Sequence, residues 1–116
     1  MTKELTVHIG GSFNDMAKRV SEAWKLSGQG AAVAKGHLTF VNWEAFSSMM
    51  TTERLDLLRH LHHQPEANIA ALAKSLRRSY REVHEDVELL DRAGLLELDD
   101  AGLRTSYDEI RTVIAL

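Results

Sequence analysis

Cysteine is missing from the 116 residues, which excludes a disulfide framework, a thiolate metal site and a cysteine nucleophile. Proline occurs once, at Pro65, and there is no low-complexity tail and no internal repeat. No apolar run approaches the roughly 18 residues that a membrane-spanning helix needs. The opening residues Met1 to Glu4 start no signal-peptide core either. The setting expected from these absences is a reducing cytoplasm, with nucleoid association whenever the chain is bound to DNA. An overall positive charge is also lacking: 14 Lys and Arg face 17 Asp and Glu, for a net charge of -3. Proteins that coat nucleic acid without selectivity are basic throughout, so any nucleic-acid contact here must be local.

Hydrophobic residues make up 44% of the chain and charged residues 27%, enough for a real core in one domain, or a small domain with an appended segment. Charge is distributed unevenly. Residues 1–50 hold five basic and four acidic side chains, and residues 51–116 hold nine and thirteen. The more acidic half nevertheless carries the densest basic cluster. Lys74, Arg77, Arg78 and Arg81 fall within eight residues without an acid, and Glu82, Glu85, Asp86, Glu88 and Asp91 follow.

Periodicity gives the elements. Leu5 to Ile9 alternates as a short strand closed by Gly10-Gly11, and Ser12 caps a helix expected over 13 to about 26. Gly28 to Gly36 reads as a loop, His37 to Val41 as a second strand, and Asn42 as the cap of a short helix carrying Trp43, Phe46 and Met49. From Thr51 or Thr52 a helix presents Leu55, Leu58 and Leu61 and stops near His62, before Pro65. Asn68 caps a short helix with Ile69, Leu72, Ala73 and Leu76. Ser79 and Glu82 form an S-x-x-E capping box. The helix it opens, 79–93, turns Tyr80, Val83, Val87 and Leu90 inward and ends at Gly94. Leu95–Leu98 and Leu103–Ser106 form a hairpin around Asp99–Gly102, and Ile110–Leu116 is a last strand. Strands 5–9 and 110–115 can pair within one chain or between two.

Helix, short helix, three-residue turn, helix and hairpin is the spacing of a winged helix-turn-helix, whose second motif helix enters the major groove. The expected fold class is therefore α+β, mainly α: a winged helix-turn-helix at 51–116 behind a strand-helix-strand extension at 1–50 that serves dimerisation or partner binding. Cations at a helix N-terminus with acids behind them oppose the macrodipole, at about 0.3–1 kcal/mol for each exposed charge. That order suits a positive tip meeting an anion, with the acids holding the rest of the helix off the phosphates. Arginine bridges guanine O6 and N7 or two phosphate oxygens. The blander account is a solvated basic turn, partly neutralised by Glu82 and Glu85. The expected DNA-binding residues are Arg77, Arg78, Ser79 and Arg81 at the tip, Lys74 and Arg104 on phosphates, and Glu82 and His84 on the helix. Arg104 is equally ordinary as an exposed strand arginine, and His84 as a residue packed within the motif.

The stretch from Phe40 to Ile110 resembles a family of bacterial and archaeal predicted transcriptional regulators of the winged helix-turn-helix, MarR-like class. The resemblance lies in Phe40, Trp43, Glu44, Thr52, Arg54, Leu55 and Leu58. It continues in Arg78-x-Tyr80-x-x-Val83-His84-x-Asp86-Val87, Gly94-Leu95, Tyr107-Asp108 and Ile110. It implies DNA-binding regulation of transcription, and some members look like antitoxins encoded beside a toxin. The position before Val83 is often Asn in the family and is Glu82 here, which bears on base preference.

Catalysis is not expected, because no nucleophile, base and orienting group are assembled. His60, His62 and His63, with Glu66 or His84, invite a metal reading. Histidine is favoured at a helix C-terminus in any case, and no metal or cofactor is expected. The function expected is a dimeric repressor of its own operon. The alternative is an antitoxin or adaptor whose work is to bind and neutralise a partner protein.

Overall fold

Leu5, Val7 and Ile9 are buried while their neighbours Thr6 and His8 are half-exposed, the alternation of a strand with one face on a core. In the computed structural model of the chain, which describes residues 3–10, 24–26, 31–34 and 36–116, they form β1 (Glu4–Ile9). Six further strands and four helices follow among the described residues: β2 (Trp24–Leu26), β3 (Ala31–Ala34), β4 (His37–Phe40), α1 (Trp43–Met49), α2 (Thr52–His63), α3 (Ile69–Leu76), α4 (Tyr80–Arg92), β5 (Leu96–Asp99), β6 (Gly102–Thr105) and β7 (Glu109–Ile114). They divide into two compact units, residues 1–51 with 109–116, and residues 52–108. No helix among the described residues is long and apolar enough to cross a membrane.

The first unit is built on a five-stranded sheet in the order β2-β3-β4-β1-β7. β1 runs parallel to β4 on one side and to β7 on the other, while β2, β3 and β4 are antiparallel neighbours. Leu5, Val7, Ile9, Leu38 and Phe40 are fully buried. Asn42 caps α1 by accepting from the Ala45 N–H at 2.9 Å. Met49 on α1 is buried, Phe46 half-buried and Trp43 half-exposed.

A mainly α protein with a winged helix-turn-helix and a strand-helix-strand extension was expected, and the structure corrects this. Among the described residues there are seven strands in two sheets and four helices, and the C-terminal strand belongs to the N-terminal sheet rather than following the hairpin. The helix expected over 13 to about 26 lies outside the described residues except at Trp24–Leu26, which is strand. Within the expected 28–36 loop, Ala31–Ala34 is strand too. Alanine favours helices and has little preference for strands, but ladder pairing with β4 overrides a weak local propensity. The two terminal strands pair within one chain, in register from Glu4 and Glu109 to Ile9 and Ile114.

In the second unit the apolar faces of α2, α3 and α4 meet through Leu57, Leu58, Leu61, Leu72, Val83, Val87 and Leu90, all buried. Ala93, Leu95, Leu96 and Leu103 extend this core to the β5–β6 hairpin. Gly94, at φ 78°, ends α4: its N–H donates to Asp91 and the Leu95 N–H reaches back to Leu90. The hairpin turn needs Gly102 for a different reason, since a Cβ there would lie 2.5 Å from the Glu66 carbonyl oxygen. Glu66 and Leu103 exchange backbone hydrogen bonds at 3.0 and 2.7 Å, tying the hairpin to the segment after α2.

Candidate nucleic-acid interface

The turn between α3 and α4 is shaped by three local devices. Asn68 opens α3 by accepting from Ala71 N–H at 2.8 Å. Arg77 closes it in the left-handed region, at φ 56° and ψ 44°, with its N–H on Lys74 and the Arg78 N–H on Ala73. Ser79 then caps α4, its Oγ accepting from Glu82 N–H at 3.2 Å. Only this half of the expected capping box forms among the described residues. The Glu82 carboxylate is two-thirds exposed and turned toward Arg78, 3.9 Å away.

Arg77 is the one non-glycine residue with positive φ among the described residues. Glycine is usual there, because an L side chain in that region costs about 1–2 kcal/mol. The side chain so placed is exposed. Lys74, one turn earlier on α3, is exposed as well, and neither has a carboxylate partner among the described residues. Arg81, on the first turn of α4, is 90% exposed, with Glu85 at 3.6 Å, an exposed pair worth a few tenths of a kcal/mol. Lys74, Arg77 and Arg81 therefore keep their charge open to solvent at the positive end of α4.

Arg78, expected in the reading tip, has its guanidinium engaged within the chain. Its Nη2 donates to Asp86 Oδ2 at 2.7 Å, and its side chain is only 20% exposed. Asp86 also accepts from Arg54 Nε at 2.9 Å. A carboxylate on the buried face of α4 is thus gripped by one guanidinium from the start of α2 and one from the α3–α4 turn. This cluster fixes the entry of α4 against α2, since a buried charge is tolerable only when paired and hydrogen-bonded.

Arg104 is committed too. It donates to both oxygens of Asp99, at 3.1 and 2.7 Å, and sits 2.7 Å from Glu97. The Asp99 hydrogen bond pushes the guanidinium pKa up, and the same bond holds the Asp99 carboxyl below its usual range. With Glu97, Asp99 and Asp100 around Arg104, the exposed hairpin that carries this expected phosphate contact is acidic.

Tyr80, expected inward, is 55% exposed and stacks on His84, with ring centroids 5.8 Å apart. His84 also lies 3.3 Å from Glu88. The histidines of α2 go to separate carboxylates, His60 to Glu66 and His62 to Asp108. Among the described residues no group of three or more His, Asp or Glu could hold a metal ion.

The structure thus gathers Lys74, Arg77, Ser79, Arg81, Glu82 and His84 around one end of α4, engages Arg78 there with Asp86, and holds Arg104 in the hairpin with Asp99 and Glu97. The sequence reading overlooked the Arg54–Asp86–Arg78 cluster. Its signal was present: Asp86 falls between Val83, Val87 and Leu90 on the apolar stripe, where an acid requires cationic partners.

A family model named HVO_A0114 matches residues 49–112, more than half of the chain. The chain belongs to the HVO_A0114 family. The HVO_A0114 match takes in all of the 52–108 unit and most of β7. No curated protein and no solved structure matches the chain.

Proposed function

We propose that this HVO_A0114 chain is a DNA-binding regulator of transcription that presents the N-terminal turn of α4 to the major groove as a dimeric repressor of its own operon. Arg77 and Arg81 reach base edges or phosphates, and Lys74 takes a phosphate on the flank. The observation that carries this reading is the sorting of the arginines. Arg78 is spent on holding α4 in place, while Arg77 is held in a strained conformation that leaves it exposed beside Arg81. Strain at an exposed cationic residue is a cost that packing alone would remove by substituting glycine. Glu85 and Glu88, both exposed farther along α4, repel phosphate and confine contact to the tip. The test is a footprint of the DNA upstream of the gene: protection is expected with the native chain and lost with Arg77→Ala/Arg81→Ala. A folded double variant that protects the same DNA equally well refutes the reading.

One feature favours the second reading, an antitoxin or adaptor. The acidic hairpin suits a basic protein surface better than a phosphate backbone. Co-purification of the adjacent gene's product, with no protected DNA, decides for that reading.

A further inference from the structure

β7 is an edge of the five-stranded sheet. Glu109 N–H donates to Lys3 at 3.3 Å and Ala115 N–H to Ile9 at 2.9 Å, so the odd-numbered residues of β7 face β1. By the alternation of a strand, Ile110, Thr112 and Ile114 turn their N–H and C=O groups outward. The strand carries no proline, and its register with β1 runs unbroken over six residues, so neither a missing donor nor a bulge blunts this edge. Its charges are engaged with their own chain: Arg111 lies 3.1 Å from Glu4 and 3.3 Å from Glu109. Val113 and Ile114 are 51% and 53% exposed.

We propose that β7 pairs antiparallel with β7 of a second copy of the chain, in a register centred on Thr112. The hydrogen-bond phase selects this register. Outward-facing residues must oppose one another, and the register that pairs all three within the strand sets Thr112 against Thr112 and Ile110 against Ile114 of the second copy. All three outward residues are then paired twice over, N–H and C=O. Centring on Arg111 instead leaves Ile114 without a partner inside the strand and sets two arginines directly opposite, where like charges destabilise. The Thr112 register also joins like to like on the apolar face. Ile110 and Ile114 are level with Leu5 and Ile9, so the buried face of one sheet continues into the other. A two-fold axis through Thr112 makes the edge complementary to itself, which favours a second copy over a foreign strand. The inference rests on the dimeric part of the reading above and does not need the DNA contact.

The chain has no cysteine, so Thr112→Cys introduces a unique thiol. Hydrogen-bonded antiparallel partners lie roughly 5.5 Å apart at Cα, within the usual span of a disulfide. The native chain is expected to run at twice its 13.0 kDa mass in light scattering. Mild oxidation should convert most of the Thr112→Cys chain to a covalent dimer, while Asp100→Cys, in the exposed hairpin turn, stays monomeric on the same gel. Thr112→Pro removes an outward N–H without removing a bond to β1 and should give a folded monomer by circular dichroism. A monomeric native chain overturns the proposal. So does a dimer that survives Thr112→Pro, or a Thr112→Cys chain that cross-links no better than Asp100→Cys. Footprinting the folded monomer separates the two claims: a retained half-site leaves the DNA reading standing whatever happens to the dimer.

Discussion

Replacing Arg77 with glycine sets stability against function at a single position. Arg77 sits at φ 56° and ψ 44° and closes α3 through hydrogen bonds from its own N–H and that of Arg78, which glycine keeps. Relief of the left-handed strain is worth about 1–2 kcal/mol, and the added freedom of the unfolded chain takes back about 0.4–1 kcal/mol. The net expectation is a stabilisation of about 0.5–1 kcal/mol, read as a higher urea midpoint with an unchanged slope. DNA affinity should fall at the same time, with a log–log salt slope shallower by roughly 0.9, one phosphate contact's worth. Arg77→Lys keeps the charge and the strain, so it should retain most of the salt slope and gain no stability. If Arg77→Gly is destabilised, the strain argument fails. A stabilised variant with undiminished affinity and salt slope would show that Arg77 is not kept for an anion.

Asp86→Ala leaves Arg54 and Arg78 without their shared carboxylate and should cost about 2–3 kcal/mol in urea unfolding; a neutral outcome would show that the cluster does not hold α4. Arg78→Ala belongs with it as a stability variant, so any loss of DNA binding there should appear together with a lower urea midpoint. The His60 hydrogen bond holds the Glu66 carboxyl below its usual 4.5. Its stabilising contribution is therefore present above that value and lost as pH falls through the lowered one, and Glu66→Gln should flatten the acid limb of the stability profile. Glu4 has the opposite sign. Its hydrogen bond with Glu109 raises its pKa above 4.5, so that contribution is present in acid and fades as pH rises through the raised value, and Glu4→Gln should remove that loss.

Helix boundaries were legible because their chemistry is local. Asn42, Asn68 and Ser79 cap helices through oxygens that accept from an N–H three residues on, and Gly94 stops α4. The hairpin was legible for the same reason, through the Asp99–Gly102 turn. What escaped depends on partners far along the chain. Ala31–Ala34 is a strand because β4 pairs with it, and the place of β7 is set by β1, more than a hundred residues away. The candidate tip was half legible. The cations could be read as a cluster, but which arginine turns inward depends on Asp86 and on Arg54, 32 residues from it. Tyr80 was misassigned because its spacing from Val83 and Val87 fits the apolar stripe, whereas at the first turn of α4 the stripe has run past the core, leaving the ring to stack on His84.

The central claim is that Lys74, Arg77 and Arg81 meet phosphates or bases while Arg104 does not. The salt dependence of binding to the upstream DNA, measured for the native chain, for Lys74→Ala/Arg77→Gly/Arg81→Ala and for Arg104→Ala, tests it directly. The log–log slope should become shallower by roughly 2–3 in the folded triple variant and stay at the native value in Arg104→Ala. A folded triple variant with the native slope, or an Arg104→Ala chain that loses it, contradicts the account.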